Sequence, residues 1–327
     1  MARQPFDRDS GGPTNGRPAL EVTRTYQYIE ARRAEVEQAL AGILPAVPQC
    51  PQVVRDAMAY SLLAGGKRLR PILCLVGAEA VGGDRAMAMP AACAIELIHT
   101  YSLIHDDLPA MDNDTMRRGR PTLHVVAGEG MAILAGDALL TQAFYHLADK
   151  PRTGDPEVVA RKLDVIQIIS AAAGPTGMVG GQAMDLACVT PDPQGRLAPS
   201  LDEHGLRIMH SKKTGALIRV SGGVGAIMGG GTPEQVQAID EASGEFGLAF
   251  QIVDDILDVA GVSTQLGKTA GKDAAAGKPT YPSLYGLEAS RRMATECLAR
   301  AEAVLASAGV ANPRLLGIGR WIVERSN

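Results

Sequence analysis

Phe246-Gly-Leu-Ala-Phe-Gln-Ile-Val-Asp-Asp-Ile-Leu-Asp258 is the stretch on which the reading of this chain turns. It is apolar at Phe246, Leu248, Ala249, Phe250, Ile252, Val253, Ile256 and Leu257, yet it ends in Asp254, Asp255 and Asp258. Asp254 and Asp258 are four residues apart, so on a helix they project from one face, about 6 Å from each other. Carboxylates on a buried apolar helix repel one another and are costly to desolvate unless a cation neutralises them. The pattern predicts a buried helix whose end holds positive charge.

A second cluster poses the same problem. Asp106-Asp107-Leu-Pro-Ala-Met-Asp112-Asn113-Asp114 follows the apolar run Met87–Ile104, and Arg117 and Arg118 come directly after it. Pro109 should end or distort that helix just past the aspartate pair, so Asp112 reaches back from a bulge. Oxygen-only clusters with no His or Cys in register favour hard cations, of which Mg²⁺ is the natural choice. Magnesium shares its shell with substrate phosphates, so such clusters predict a polyphosphate ligand. A solvated acidic helix end explains one cluster equally well, but it explains two on apolar helices poorly.

The rest of the chain supports the helical reading. Of its 327 residues 46% are hydrophobic and only 4% aromatic, so the core must come from Ala, Leu, Ile, Val and Met, which suit packed helices. Helical spacing of apolar residues begins near Glu21 and recurs over Val53–Leu63, then in a helix opened by Pro71 and in one opened by Pro90 and running through His105. It continues over about Met131–Leu147, Pro156–Ala173, Leu206–Gly222, Pro233–Asp258 and Ala289–Ser307, while Gly174–Pro193 reads as short helix mixed with loop. No alternating strand pattern of useful length is present. The prediction is an all-α, single-domain bundle of ten or more helices over residues 21–327, behind a flexible, polar, Gly- and Pro-rich leader of residues 1–20.

A net charge of −4 gives no reason to expect a nucleic-acid partner. Cys50, Cys74, Cys93, Cys188 and Cys297 are scattered, with no CxxC pair and no disulfide framework, which points to a reducing cytoplasm. The N-terminus lacks a signal peptide's basic start and apolar core. No apolar run is read as a membrane span, because the richest, Met87–Ile104, is interrupted by Pro90, Glu96 and His99.

Here the residues resemble the trans-prenyltransferases, specifically the farnesyl and geranylgeranyl diphosphate synthases. Tyr101-Ser-Leu-Ile-His-Asp-Asp-Leu-Pro-Ala-Met-Asp112 is similar to the first aspartate-rich motif in its form with two extra residues, and Phe250–Asp258 to the second. Gly65-Gly-Lys-Arg-Leu-Arg-Pro71, Gly180-Gly-Gln-Ala-Met-Asp185, Lys213-Thr-Gly215 and the loop from Gly267-Lys268 to Lys278-Pro-Thr-Tyr281 also match, in order, across about residues 25 to 323. The resemblance implies an isoprenoid-synthase bundle around a central cavity, and a homodimer. It implies that about three Mg²⁺ ions, held by Asp106, Asp107 and Asp112 with Asp254, Asp255 and Asp258, clamp an allylic diphosphate. Arg117, Lys213, Lys268 and Lys278 would complete that clamp. Isopentenyl diphosphate would be held without metal by Lys67, Arg70, His99 and Arg118, since guanidinium forks grip phosphate in bidentate fashion. The kink at Lys213–Thr214 and Gln251 would stabilise the carbocation left when diphosphate departs, with Gln182 and Asp185 orienting the metal shell or Lys213.

Plainer readings stand beside these. Lys67 and Arg70 also fit an exposed basic turn, Arg117 and Arg118 also fit neutralisation of the preceding aspartates, and His99 also fits an apolar-helix histidine with a backbone partner. Ser102 lies one turn below Asp106, and Tyr101 is five residues below, about 7–8 Å along the axis. In the resembled family an aromatic there, with the two-residue insertion, goes with a fifteen-carbon product. The expected product is therefore farnesyl diphosphate, with geranylgeranyl diphosphate as the alternative, and Tyr101 could also be a plain core residue. A terpene cyclase needs no second basic site, and a head-to-head synthase uses sparser DxxxD pairs. A non-catalytic regulatory subunit typically lacks aspartates that are all present here. Thr115 stands where related enzymes often carry an acidic residue.

Overall fold

The computed structural model describes residues 16–189, 195, 201–259 and 280–324. Along them run α1 (Gly16–Ala41), α2 (Gln52–Leu62), α3 (Leu69–Ala80), α4 (Arg85–Asp106), a hairpin of β1 (Met116–Arg117) and β2 (Arg120–Pro121), α5 (Leu123–Ala127), α6 (Glu129–Asp149) and α7 (Pro156–Ala173). Then come α8 (Met178–Val189), α9 (Glu203–His210), a π-helical turn (Ser211–Gly215), α10 (Ala216–Met228), α11 (Pro233–Val259), α12 (Tyr281–Tyr285), α13 (Leu287–Ser307) and α14 (Pro313–Glu324). The all-α reading holds, and the two-residue strands of the hairpin are the only strands among the described residues.

Local chemistry explains several boundaries. Asp84 caps α4 by accepting from the Ala86 amide, and Asp155 caps α7 in the same way with Pro156 at its first position. The Asp84 cap starts α4 five residues before Pro90, which therefore sits inside the helix instead of opening it. Only the hydrogen bond that its missing amide would make is lost there. Gly174–Pro193, expected to be broken, contains the regular helix α8. The stretch read as one helix over Leu206–Gly222 is α9 and α10 joined through the π turn. Helix α1 begins at Gly16, inside the expected leader, and residues 1–15 lie outside the description.

The apolar residues gather in two bodies. One centres on α4 and joins it to α2, α6 and α7, with Ile95, Leu97, Ile98, Leu139 and Val165 fully enclosed. The other centres on α11 and joins it to α13, α14 and part of α3, around Phe246, Ile252 and Tyr281. Helices α3 and α10 lie against each other at backbone distance between these bodies. A Cβ on Gly77 would collide with the Gly222 carbonyl, and one on Gly225 with the Cys74 carbonyl. Such close contact lets α4 and α11 flank a single pair of helices with their C-terminal ends available for chemistry.

The membrane reading needs one correction. The stretches Arg85–Asp106 and Pro156–Cys188 are long and apolar enough, by length and composition, to cross a membrane. The first is the core helix α4, of whose apolar window 67% is buried inside the protein. The second is α7 and α8 interrupted by the turn at Gly174. Isolated polar residues such as Glu96 do not lower mean hydropathy enough to disqualify a core helix.

Candidate active site

Helix α4 ends in the first aspartate cluster, and the chain beyond it folds back as Pro109 requires. The Asp112 amide donates to the Asp106 carbonyl at 2.9 Å and the Asp114 amide to the Asp107 carbonyl at 3.1 Å. Carbonyls left over at the helix end are thus capped by the returning bulge. Asn113 takes a left-handed conformation, φ 51°, within it. Asp107 is buried and bidentate with Arg117, whose Nε and Nη2 lie 2.9 and 2.7 Å from its Oδ1. The Asp106 carboxyl is raised to about 6, first by burial and then by Asp112 and Asp107, while Lys213 and Arg117 pull it down. Lys213, more than a hundred residues away in sequence, therefore stands beside the first cluster.

The hairpin turns at Arg118-Gly119, whose φ values of 53° and 73° are both positive, as a two-residue turn between twisted strands demands. Its tip carries the Arg118 guanidinium onto the loop between α2 and α3, where it donates to the Gly65 carbonyl. Gly66 lies directly under that guanidinium, and its φ of 135° is one that a residue with a side chain rarely adopts. In the same loop Lys67 places its Nζ 5.9 Å from the centre of the Phe250 ring, one residue before Gln251 on α11. Arg70 is lowered to about 10 by burial, with Arg118 adding to the shift and Glu96 opposing it, and its Nε has no hydrogen-bond partner among the described residues. His99 is held well below the ordinary histidine range by burial and then by Arg70, Arg118, Arg117 and Arg68. Arg70, His99 and Arg118 thus lie in one positively charged region, with Lys67 in the loop that precedes Arg70, and the exposed-turn alternative for Arg70 fails.

His99 supplies a pH test. A histidine in the unfolded chain titrates near about 6.5, and the folded value lies below it. As pH falls, the unfolded state takes up this proton first, so stability is lost as pH drops below about 6.5. His99→Gln should lose less melting temperature than wild type between about pH 7.5 and pH 5.5. Parallel losses in thermal scans would show that His99 is not held neutral by the fold.

The third component is the π turn. Gly181 on α8 lies so close to the Lys213 backbone that a Cβ would collide with it. Lys213 Nζ then meets Asp185 Oδ2 at 2.5 Å, with Asp185 buried in mid-helix, so Asp185 orients Lys213 and does not cap a helix. Gln182 is also buried, and neither end of its amide has a partner among the described residues. On α11, Gln251 Nε2 donates to Asp255 Oδ1 at 3.0 Å, which turns the amide's carbonyl oxygen away from that carboxylate. Asp255 is buried, and its other oxygen accepts the Tyr281 amide at 3.0 Å. Asp254 and Asp258 lie half-buried on the same helix. Lys268 and Lys278 fall outside the described residues.

Among the described residues no group of three or more His, Cys, Asp or Glu side chains is preassembled to hold a metal. Mg²⁺ binds through one or two carboxylates plus substrate phosphates more often than in an all-protein cage. Half-buried Asp106, Asp112, Asp254 and Asp258 offer oxygen ligands of this kind. Asp107 and Asp255 already spend their oxygens on Arg117, Gln251 and Tyr281.

Tyr101 is 8% exposed and sits in the apolar body shared by α4 and α6, its ring edge-on to His105 at 5.7 Å. Ser102 donates to the His99 carbonyl of its own helix. Sequence reasoning missed Arg68 and Glu96, which meet at 2.6 Å beneath the cationic loop. Their long separation left no local signal.

The model of the polyprenyl synthetase family matches residues 51–307. A chloroplastic geranylfarnesyl diphosphate synthase of Leucosceptrum canum is 48% identical over 267 residues, 82% of this chain and 71% of that protein. The chloroplastic geranylgeranyl pyrophosphate synthase 9 of Arabidopsis thaliana is 49% identical over 278 residues, 84% and 74% of the two chains. A crystal structure of an FPP/GFPP synthase from Zymomonas mobilis superposes with a TM-score of 0.79 at 36% identity, covering 92% of this chain and 99% of that one. The chloroplastic relatives overturn the cytoplasmic location expected from the cysteines. Free thiols indicate a reducing compartment and do not distinguish one such compartment from another.

Proposed function

This chain belongs to the polyprenyl synthetase family and is a short-chain prenyl diphosphate synthase, and from that premise we propose that it extends allylic diphosphates with isopentenyl diphosphate to geranylgeranyl diphosphate. The observation behind this product is the set of geranylgeranyl and geranylfarnesyl synthases, 46 to 50% identical, found among its relatives. The farnesyl product expected from Tyr101 is the second reading. What weakens it is that Tyr101 packs edge-on to His105 in the α4–α6 core, as a structural residue would.

In the proposed reaction the chain's residues divide the two diphosphates between them. Asp106, Asp112, Asp254 and Asp258 would hold Mg²⁺ around the allylic diphosphate, with Lys213 and Arg117 beside them. Magnesium bound there supplies neutralisation of the charge that builds on the leaving diphosphate. Lys67, Arg70 and Arg118 would grip isopentenyl diphosphate without metal, which keeps that diphosphate from leaving, and neutral His99 adds a hydrogen-bonding group without further charge. The Gln251 carbonyl, aimed by Asp255, and the Thr214 oxygens in the π turn would face the allylic carbocation with dipoles that do not trap it. The double bond of isopentenyl diphosphate attacks, and the departed diphosphate takes the proton. The whole of residues 21–327 would act as one domain. The expected homodimer would cover apolar residues that α5, α6 and α7 leave exposed, such as Val126, Leu134 and Leu163.

Sizing the products tests the proposal. Purified protein, Mg²⁺, labelled isopentenyl diphosphate and dimethylallyl, geranyl or farnesyl primer should end at a twenty-carbon product with each. Arrest at fifteen carbons would reject this product and restore Tyr101 as the floor of the cavity.

A further inference from the structure

Arg68 lies between two cations of the isopentenyl diphosphate site, yet its own guanidinium turns away from them into the protein. Its backbone takes a left-handed φ of 50°, and its side chain is 1% exposed. Groups from three other helices surround it. Nη1 meets Glu96 Oε1 of α4 at 2.6 Å, Nη2 donates to the Leu62 carbonyl at the end of α2 at 2.7 Å, and Nε lies 3.8 Å from Glu37 of α1. Glu96 is itself 2% exposed, sits one turn before His99 on α4, and is the carboxylate that opposes the lowering of both Arg70 and Arg118.

We propose that Arg68 and Glu96 are a positioning pair for isopentenyl diphosphate, which rests on the reading of the cationic cluster given above. Arg68 holds a left-handed backbone that would suit glycine better, and the buried ion pair pins the loop there. Pinned at Arg68, the loop can hold Lys67 and Arg70 in place while Glu96 offsets the mutual repulsion of the arginines above it. Neither member touches substrate.

Removing one member of a buried pair strands the other's charge, so Glu96→Gln alone would mix positioning with loss of stability. The double variant Arg68→Met with Glu96→Leu removes both charges and should melt close to wild type. Its KM for isopentenyl diphosphate should rise about ten-fold or more, with kcat and the allylic KM changed less than about three-fold. Arg68→Lys, which keeps a charge but loses the fork, should fall between the double variant and wild type. A double variant that folds and keeps the wild-type KM for isopentenyl diphosphate would overturn the proposal, as would equal rises in both KM values. Absence of elongation by the wild-type protein would instead reject the reading on which the proposal stands.

Discussion

Asp254→Ala should lower kcat about 10³-fold while leaving the affinity for isopentenyl diphosphate within about two-fold. Asp254 lies half-buried near the C-terminal end of α11, on the face it shares with Asp258 and away from buried Asp255. Its carboxylate is assigned to the charge that neutralises the leaving diphosphate, a charge that grows as the transition state is approached. An interaction of that kind appears in kcat and hardly at all in the binding of the other substrate. Asp255→Ala is the informative contrast. It removes the acceptor of both the Gln251 amide and the Tyr281 amide, so it should lower the melting temperature as well as kcat. Steady-state kinetics with a thermal scan on both variants separates the two roles. Equal melting losses would show that Asp254 too is a structural carboxylate.

Arg70→Met should have the opposite signature, raising KM for isopentenyl diphosphate about 100-fold, or about 2.7 kcal/mol, with kcat near wild type. Burial drives the Arg70 guanidinium down to about 10, and no hydrogen-bond partner for its Nε is found among the described residues. The fold therefore bears the desolvation of a cation that Glu96 offsets in part and an incoming anion would offset further. Replacing it with an apolar side chain of similar length should leave the melting temperature unchanged or higher. A lower melting temperature with an unchanged KM would assign Arg70 to the core.

Both aspartate clusters were legible because carboxylates on apolar helices contradict the hydrophobic pattern around them. The return of Asp112 followed from Pro109, and the hydrogen bond from its amide to the Asp106 carbonyl has the geometry that a broken helix end requires. Helix α7 was read at its observed ends because Asp155 and Pro156 mark its start and Gly174 its stop. Pro90 misled because a proline near a helix start looks like its first residue, whereas the Asp84 cap, six residues earlier, is the stronger signal. The hairpin at Arg118-Gly119 is too short for any periodicity to show, so Arg117 was legible only as a cation next to the aspartates, and the placing of Arg118 on the α2–α3 loop was not legible. Arg68 and Glu96 stayed hidden for another reason: twenty-eight residues separate them, and only the packing of the α2–α3 loop on α4 brings them together. Lys213 and Asp185 have the same separation but fall in segments already matched to the family.

Calorimetric titration of isopentenyl diphosphate, with Mg²⁺ and then with chelator, bears most directly on the division between the two diphosphate sites. Arginines that bind without metal predict similar affinity in both conditions, while a non-ionisable allylic diphosphate analogue should bind only with Mg²⁺. Loss of isopentenyl diphosphate binding in chelator, or metal-independent binding of the allylic analogue, would contradict that division.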